Sequence, residues 1–128
     1  MTELKILYIT ENTEDDIAYF YDSCDKILLP IETTNENEFT SGLGYVVKTL
    51  CGLLNNACPT LEIYRYQDNK FYSYINIKNK KKTFKINCEP KLLANLAKSN
   101  NWPVFTNKKI LTKHGIKIDE EMYNDLVV

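Results

Sequence analysis

The segment KINCEPKLLANLA, Lys85 to Ala97, is where chemistry is most readily placed. An alternating, extended run gives way there to a helical one, and Pro90 marks the change. A helix N-terminus offers unpaired N–H groups and the positive end of a dipole, which together suit an anion. The polar residues at the junction are Asn87, Cys88, Glu89 and Lys91. They supply an amide, a thiol, an acid and a base, and spell no mechanism by themselves.

Other reactive residue types are thinly spread. Cys24, Cys51, Cys58 and Cys88 form no C-x-x-C pair, so neither a thioredoxin-like dithiol nor a zinc ribbon is written, and buried thiols are expected. The single histidine, His114, precedes Gly115 at an expected helix end, a place that suits a cation better than a catalyst. One imidazole also rules out a multi-histidine metal site within one chain. No metal site and no cofactor follow from these residues.

Charge is distributed unevenly. Residues 1–64 hold 3 Lys/Arg against 11 Asp/Glu, and residues 65–128 hold 13 against 6. Lys78, Lys80, Lys81, Lys82 and Lys85 gather around one expected hairpin, with Lys91 just beyond. Such a face suits a polyanion, DNA or RNA, with phosphates on the lysines and bases stacked on neighbouring tyrosines. Lysine and asparagine usage on a solvated surface gives the same pattern, as does attraction between the two halves.

The elements that must position these residues are legible from periodicity. A chain of 128 residues, 44% hydrophobic and 26% charged, fits one globular domain, and its nine tyrosines and five phenylalanines lean it toward sheet. The first twenty residues carry acids instead of a basic leader, and no apolar run is long enough to cross a bilayer, so a cytoplasmic location with no membrane partner is expected. Strands are expected at Leu4 to Thr10, Ile17 to Asp22 and Lys26 to Glu32. A helix carrying Leu43, Val46, Val47, Leu50, Leu53 and Leu54 follows, with Thr40 or Ser41 as its cap and Asn55-Asn56 as its stop.

The second half repeats the order. Strands at Leu61 to Tyr66, Phe71 to Ile77 and Thr83 to Cys88 lead into a helix from Pro90, with Leu92, Leu93, Leu96 and Ala97 on one face. A short strand WPVFT, a helix at Lys108 to His114 and a tail at 119–128 complete the chain. The expectation is an α+β fold: two β-β-β-α halves, about 1–58 and 59–118, sharing one curled, mostly antiparallel sheet, with a short strand and a C-terminal helix added. Alternation puts Leu61, Ile63, Phe71, Ser73, Ile75, Phe84 and Ile86 on one face, and Tyr64, Tyr66, Tyr72 and Tyr74 on the other. An exposed tyrosine face predicts a homo-oligomer that buries it.

The order of elements and several strings resemble the bifunctional nuclease family, whose members act on both DNA and RNA. Leu28 to Ile31 is similar to the family's LPI strand end, Asp68 to Ser73 (DNKFYS) to its D-G-T-F-Y-A hairpin, and Trp102 to Phe105 to its A-P-I-[FY]. Ile110-Leu111 and Gly115-Ile116 are similar to its V-L and G-I, so the resemblance runs from Leu4 to about Ile118. The family's D-[AS]-R-P-S-D-A-I-x-L-A falls on the opening segment. Asn87 stands at the first Asp, Cys88 at the small residue, Glu89 at the Arg, Pro90 at the Pro, Lys91 at the Ser and Leu92 at the second Asp, while Leu96 and Ala97 keep the later spacing.

The resemblance implies hydrolysis of DNA or RNA phosphodiesters, with acids to hold Mg²⁺ or Mn²⁺ or activate water and an Arg to clamp phosphate. The residues it points to are Glu89, Asn87 and Glu38, the last being one position from the family's glutamate after the LPI strand. The family's R-P-L-T-H-D-L has no counterpart here, and the segment from Ile31 to Leu61 is short for the family's two helices. The alternative is therefore a catalytically silent domain that oligomerises or binds nucleic acid.

Overall fold

The computed structural model describes residues 1–10, 16–34, 38–55 and 57–127, without the side chains of 38–40. Strands β1 (Thr2–Ile9), β2 (Asp16–Asp22) and β3 (Ile27–Thr33) are followed by helix α1 (Glu38–Leu53). Strands β4 (Cys58–Gln67), β5 (Lys70–Lys78) and β6 (Thr83–Cys88) are followed by a 3₁₀ turn (Pro90–Leu92) and α2 (Leu93–Asn100). β7 (Val104–Thr106), α3 (Lys108–His114), β8 (Ile116–Lys117) and α4 (Glu120–Val127) complete the chain.

All eight strands form one open sheet in the order β6-β5-β4-β7-β1-β2-β3-β8. The two meanders, β1-β2-β3 and β4-β5-β6, are each antiparallel. They meet on the short β7, which runs antiparallel to β1 and parallel to β4. The sheet is thus mixed, mostly antiparallel, and built of two β-β-β-α halves as the element order predicts. No helix among the described residues is long and apolar enough to cross a membrane.

Alternation explains the core. Asp16, Ala18, Phe20 and Asp22 of β2 are buried and the residues between them half-buried. Phe20, Leu29, Leu61, Ile63, Ile75 and Ile77 meet Val47 of α1 and Leu93 and Leu96 of α2 in one buried cluster that draws on both halves. Where α1 crosses α2, Gly44 packs against the Asn100 side-chain amide, which lies 3.2 Å from where an added Cβ would stand.

The six steps from β3 to β6, each turned by roughly 20°, accumulate roughly 120° of twist. The C-terminal end of β3 thereby arrives beside the residues that follow β6. Thr34 N–H donates to the Lys91 carbonyl at 3.1 Å, and Thr33 Oγ1 donates to the same oxygen at 3.2 Å. Asn95 of α2 donates to the Thr34 carbonyl. The segment after Cys88 is in this way tied to the opposite meander.

Four details differ from the periodicity reading. α1 opens at Glu38, so Thr40 and Ser41 lie inside it and neither is its cap. Asn55 does end it, at φ 61°, the left-handed conformation that Asn tolerates; Asn56 lies outside the described residues. The tail is a two-turn helix: Asp119 Oδ1 accepts from Met122 N at 2.8 Å, two acids occupy the first turn, and Tyr123 packs on Tyr21 at 5.1 Å. β8, only two residues long, carries no periodicity to read.

The fourth detail is Tyr66, expected beside Tyr64, Tyr72 and Tyr74. A bulge between Ile63 and Arg65 places one extra residue in β4, so Arg65 pairs with Tyr72 and Tyr66 with Phe71. Tyr66 is thereby turned to the face of Phe71, where its ring lies 4.7 Å from Phe71 and 3.8 Å from His114. His114 does sit at the end of α3, its ring against Tyr66 and edge-on to Phe71.

Candidate functional site

The junction between β6 and α2 forms because of its proline. Glu89, preceding Pro90, is held extended at φ −67° and ψ 134°, and Pro90 opens the 3₁₀ turn at its preferred first position. That turn is three residues long and Glu89 makes no side-chain cap. It is too short to act as an anion-binding helix terminus, so any ligand must be held by side chains.

Those side chains come from three directions. A cavity of about 800 Å³ is lined by Asn87, Glu89 and Lys91 of the junction, Tyr64, Arg65, Lys70 and Tyr72 of the β4-β5 hairpin, and Glu32 of β3. A second, of about 440 Å³, shares Asn87, Cys88, Glu89 and Lys91 and is closed by Thr34, Leu43 and Leu92. The junction is thus a wall between two cavities, and the larger has the size of a small-ligand site.

Glu89 and Lys91, both expected site residues, pair with each other at 3.1 Å, with side chains 67% and 50% exposed. An ion pair that wet adds little stability. Cys88 is buried; Ser73 Oγ donates to its carbonyl at 2.6 Å. Burial, and then the Glu89 charge, push the Cys88 thiol up to about 11, so it remains protonated and poorly nucleophilic at neutral pH.

Arg65 is the chain's single arginine. Its guanidinium lies 4.7 Å from the Tyr72 ring centroid and 5.7 Å from that of Tyr64. Tyr64 in turn lies 4.8 Å from Tyr74, whose hydroxyl donates to Glu62 Oε2 at 2.6 Å. Burial, followed by that hydrogen bond, pushes Tyr74 up to about 12, and Lys85 Nζ sits 4.6 Å over its ring. A cluster of three tyrosine rings on the outer face of β4 and β5 is thus flanked by Arg65 on one side and Lys85 on the other, with Glu62 bonded to Tyr74.

Of the residues expected from the sequence, Asn87, Glu89 and Lys91 share the larger cavity. Lys85 stands on the outer face, and Lys78, Lys80, Lys81 and Lys82 lie at the far end of the β5-β6 hairpin, away from the junction. The Glu38 side chain lies outside the described residues. Glu32, Arg65 and Lys70 were not expected. They lie at least seventeen positions from Asn87 in sequence, and strand pairing together with the twist of the sheet brings them to it. The signal available was Arg65 itself, a lone arginine in a chain that otherwise uses lysine.

For the divalent ion implied by the nuclease resemblance, this cavity offers two carboxylates, Glu32 and Glu89. Among the described residues no three His, Cys, Asp or Glu side chains come together as a metal site, and Glu89 is engaged by Lys91. No model of a known protein family matches the chain, and no curated protein matches it significantly.

Proposed function

We propose that this chain is a bifunctional-nuclease-like domain that binds single-stranded nucleic acid at the Pro90 junction without hydrolysing it. The observation that carries this reading is the composition of the larger cavity, where Arg65, Lys70 and Lys91 meet Tyr64 and Tyr72. A guanidinium and ammonium groups suit phosphates, and half-buried tyrosine rings suit unpaired bases. Glu89 occupies the hallmark position of the family's arginine, yet Arg65 brings a guanidinium to the same cavity from β4. Two acids, Glu32 and Glu89, line that cavity; the loss of hydrolysis is read from Glu89 being held by Lys91 and from no third acid of the described residues joining them.

Incubation with labelled single-stranded and duplex DNA and RNA, with and without Mg²⁺ or Mn²⁺, tests the reading. Single strands are expected to bind more tightly than duplexes, and all substrates to run intact on a denaturing gel. Metal-dependent cleavage that is lost in the Glu89→Ala variant contradicts silence; preference for duplexes contradicts stacking.

Self-association belongs to the same proposal, on a different surface from the one the tyrosines suggested. Tyr66 faces inward and Tyr74 is only 9% exposed, whereas Val46, Leu50 and Leu53 form an exposed row along α1. Light scattering at micromolar concentration is expected to give a mass above that of one chain, and Leu50→Glu to return it to the monomer.

A further inference from the structure

We infer that the lysine turn at Lys78 to Lys82 is a second anchor for the same single strand, joined to the junction cavity by a track along the outer face of β5 and β6. The inference rests on the reading above and adds the path and the minimum length of the ligand.

The turn is built and not merely basic. Asn79 N–H donates to the Lys82 carbonyl at 3.0 Å, and Asn79 Oδ1 accepts from Lys81 N at 2.9 Å and Lys82 N at 2.8 Å. Lys80, Lys81 and Lys82 therefore project from a fixed loop. All three are exposed, and the one ion pair among the described residues is that of Glu89 with Lys91, so no acid of the described residues pairs with the turn. Phosphates could do so.

Strand alternation places the connecting residues on one face. Tyr72, Tyr74 and Lys78 of β5 and Lys85 and Asn87 of β6 all point outward, in register through the pairs Tyr74 with Asn87 and Asn76 with Lys85. Lys85 over the Tyr74 ring lies between the cavity and the turn. The order along the face is Arg65, Tyr72, Lys85, Lys78 and the turn, with the Tyr72 ring open to a base at the cavity end and cations for the backbone beyond it; Tyr74, buried and bonded to Glu62, supports Lys85 and takes no base.

The length of the track sets the ligand's size. From the Ser73–Cys88 pair to the Lys78–Thr83 pair is a run of strand that spans roughly 17 Å at about 3.3 Å per residue. The duplex spacing is about 3.4 Å per phosphate and an extended single strand advances up to roughly twice that, so reaching both anchors takes about three to six nucleotides. A dinucleotide can occupy only one of them.

The test is a titration of labelled oligothymidylates, from the dinucleotide up to about twelve nucleotides, against wild type and a variant with Lys80, Lys81 and Lys82 changed to Ala. These lysines are exposed, and Asn79 retains the backbone of the turn. Wild-type affinity should rise with length and level off once both anchors are reached. The variant should match wild type for the dinucleotide, lose at least about fivefold for the longer strands, and show a salt dependence shallower by about 0.7 log units per phosphate contact removed. Equal affinities of wild type and variant at every length overturn the second anchor, as does an equal loss for the dinucleotide. An acidic polypeptide that competes as well as the long oligomers also overturns it, since charge alone would then suffice. Failure of every length to bind removes the junction reading itself, and the track with it.

Discussion

Glu89 stands where the resemblance places a positive charge, and its carboxylate is held by Lys91 at 3.1 Å. Binding and hydrolysis make opposite demands of it. A binding site should improve when the acid is removed, because Lys91 is released and a repulsive charge leaves the cavity; Glu89→Ala should tighten single-strand binding by up to about fivefold, the scale of an exposed pair. Fluorescence anisotropy reads this directly, and a weaker variant would show Glu89 to be a contact. Cys88 beside it gives a prediction in pH. Its pKa in the folded protein is raised from 9.0 to about 11, so folding favours the protonated thiol. The associated stabilisation is complete below about pH 9 and is lost as pH rises through about 11. Thermal melts across this window should show wild type losing stability more steeply than Cys88→Ala. At neutral pH, alkylation should modify exposed Cys24 well before Cys88.

At the scale of elements, α2 holds the junction in place. Leu93 begins it and is fully buried in the cluster shared by both halves. Leu93→Ala should cost about 2–5 kcal/mol, the range for a large-to-small change in a closed core, measured as a lower urea midpoint. Most of this architecture was legible because each element has its own period: alternation through β4 to β6, the Leu92, Leu93, Leu96 spacing, and Pro90 as a helix opener. What periodicity could not carry was a change of phase. The bulge after Ile63 turns Tyr66 inward and brings Arg65 opposite Tyr72, and no residue type in LEIYRY announces it. The Asp119 cap before two acids was a readable helix signal in the tail. The site was legible only along the chain: Asn87, Glu89 and Lys91 were found from one segment, whereas Arg65, Lys70 and Glu32 reach it by pairing and twist.

For the whole molecule, the two meanders flank β7 in opposite directions, β1 antiparallel to it and β4 parallel, so the halves are related approximately as by a twofold rotation. They differ in charge, with the acids concentrated in the first half and the lysines in the second. The cavity draws mainly on the basic half, with Glu32 of β3 closing its other side. The most direct test of the junction as a single-strand site removes its two least replaceable contacts together, Arg65 and Tyr72. Stacking alone is worth about 1–3 kcal/mol per base, so Arg65→Ala, Tyr72→Ala should weaken anisotropy-measured binding of an oligothymidylate by at least about tenfold while leaving the thermal midpoint near that of wild type. Superimposable wild-type and double-variant titration curves would contradict the assignment of the cavity and leave the lysine turn to account for whatever binding remains.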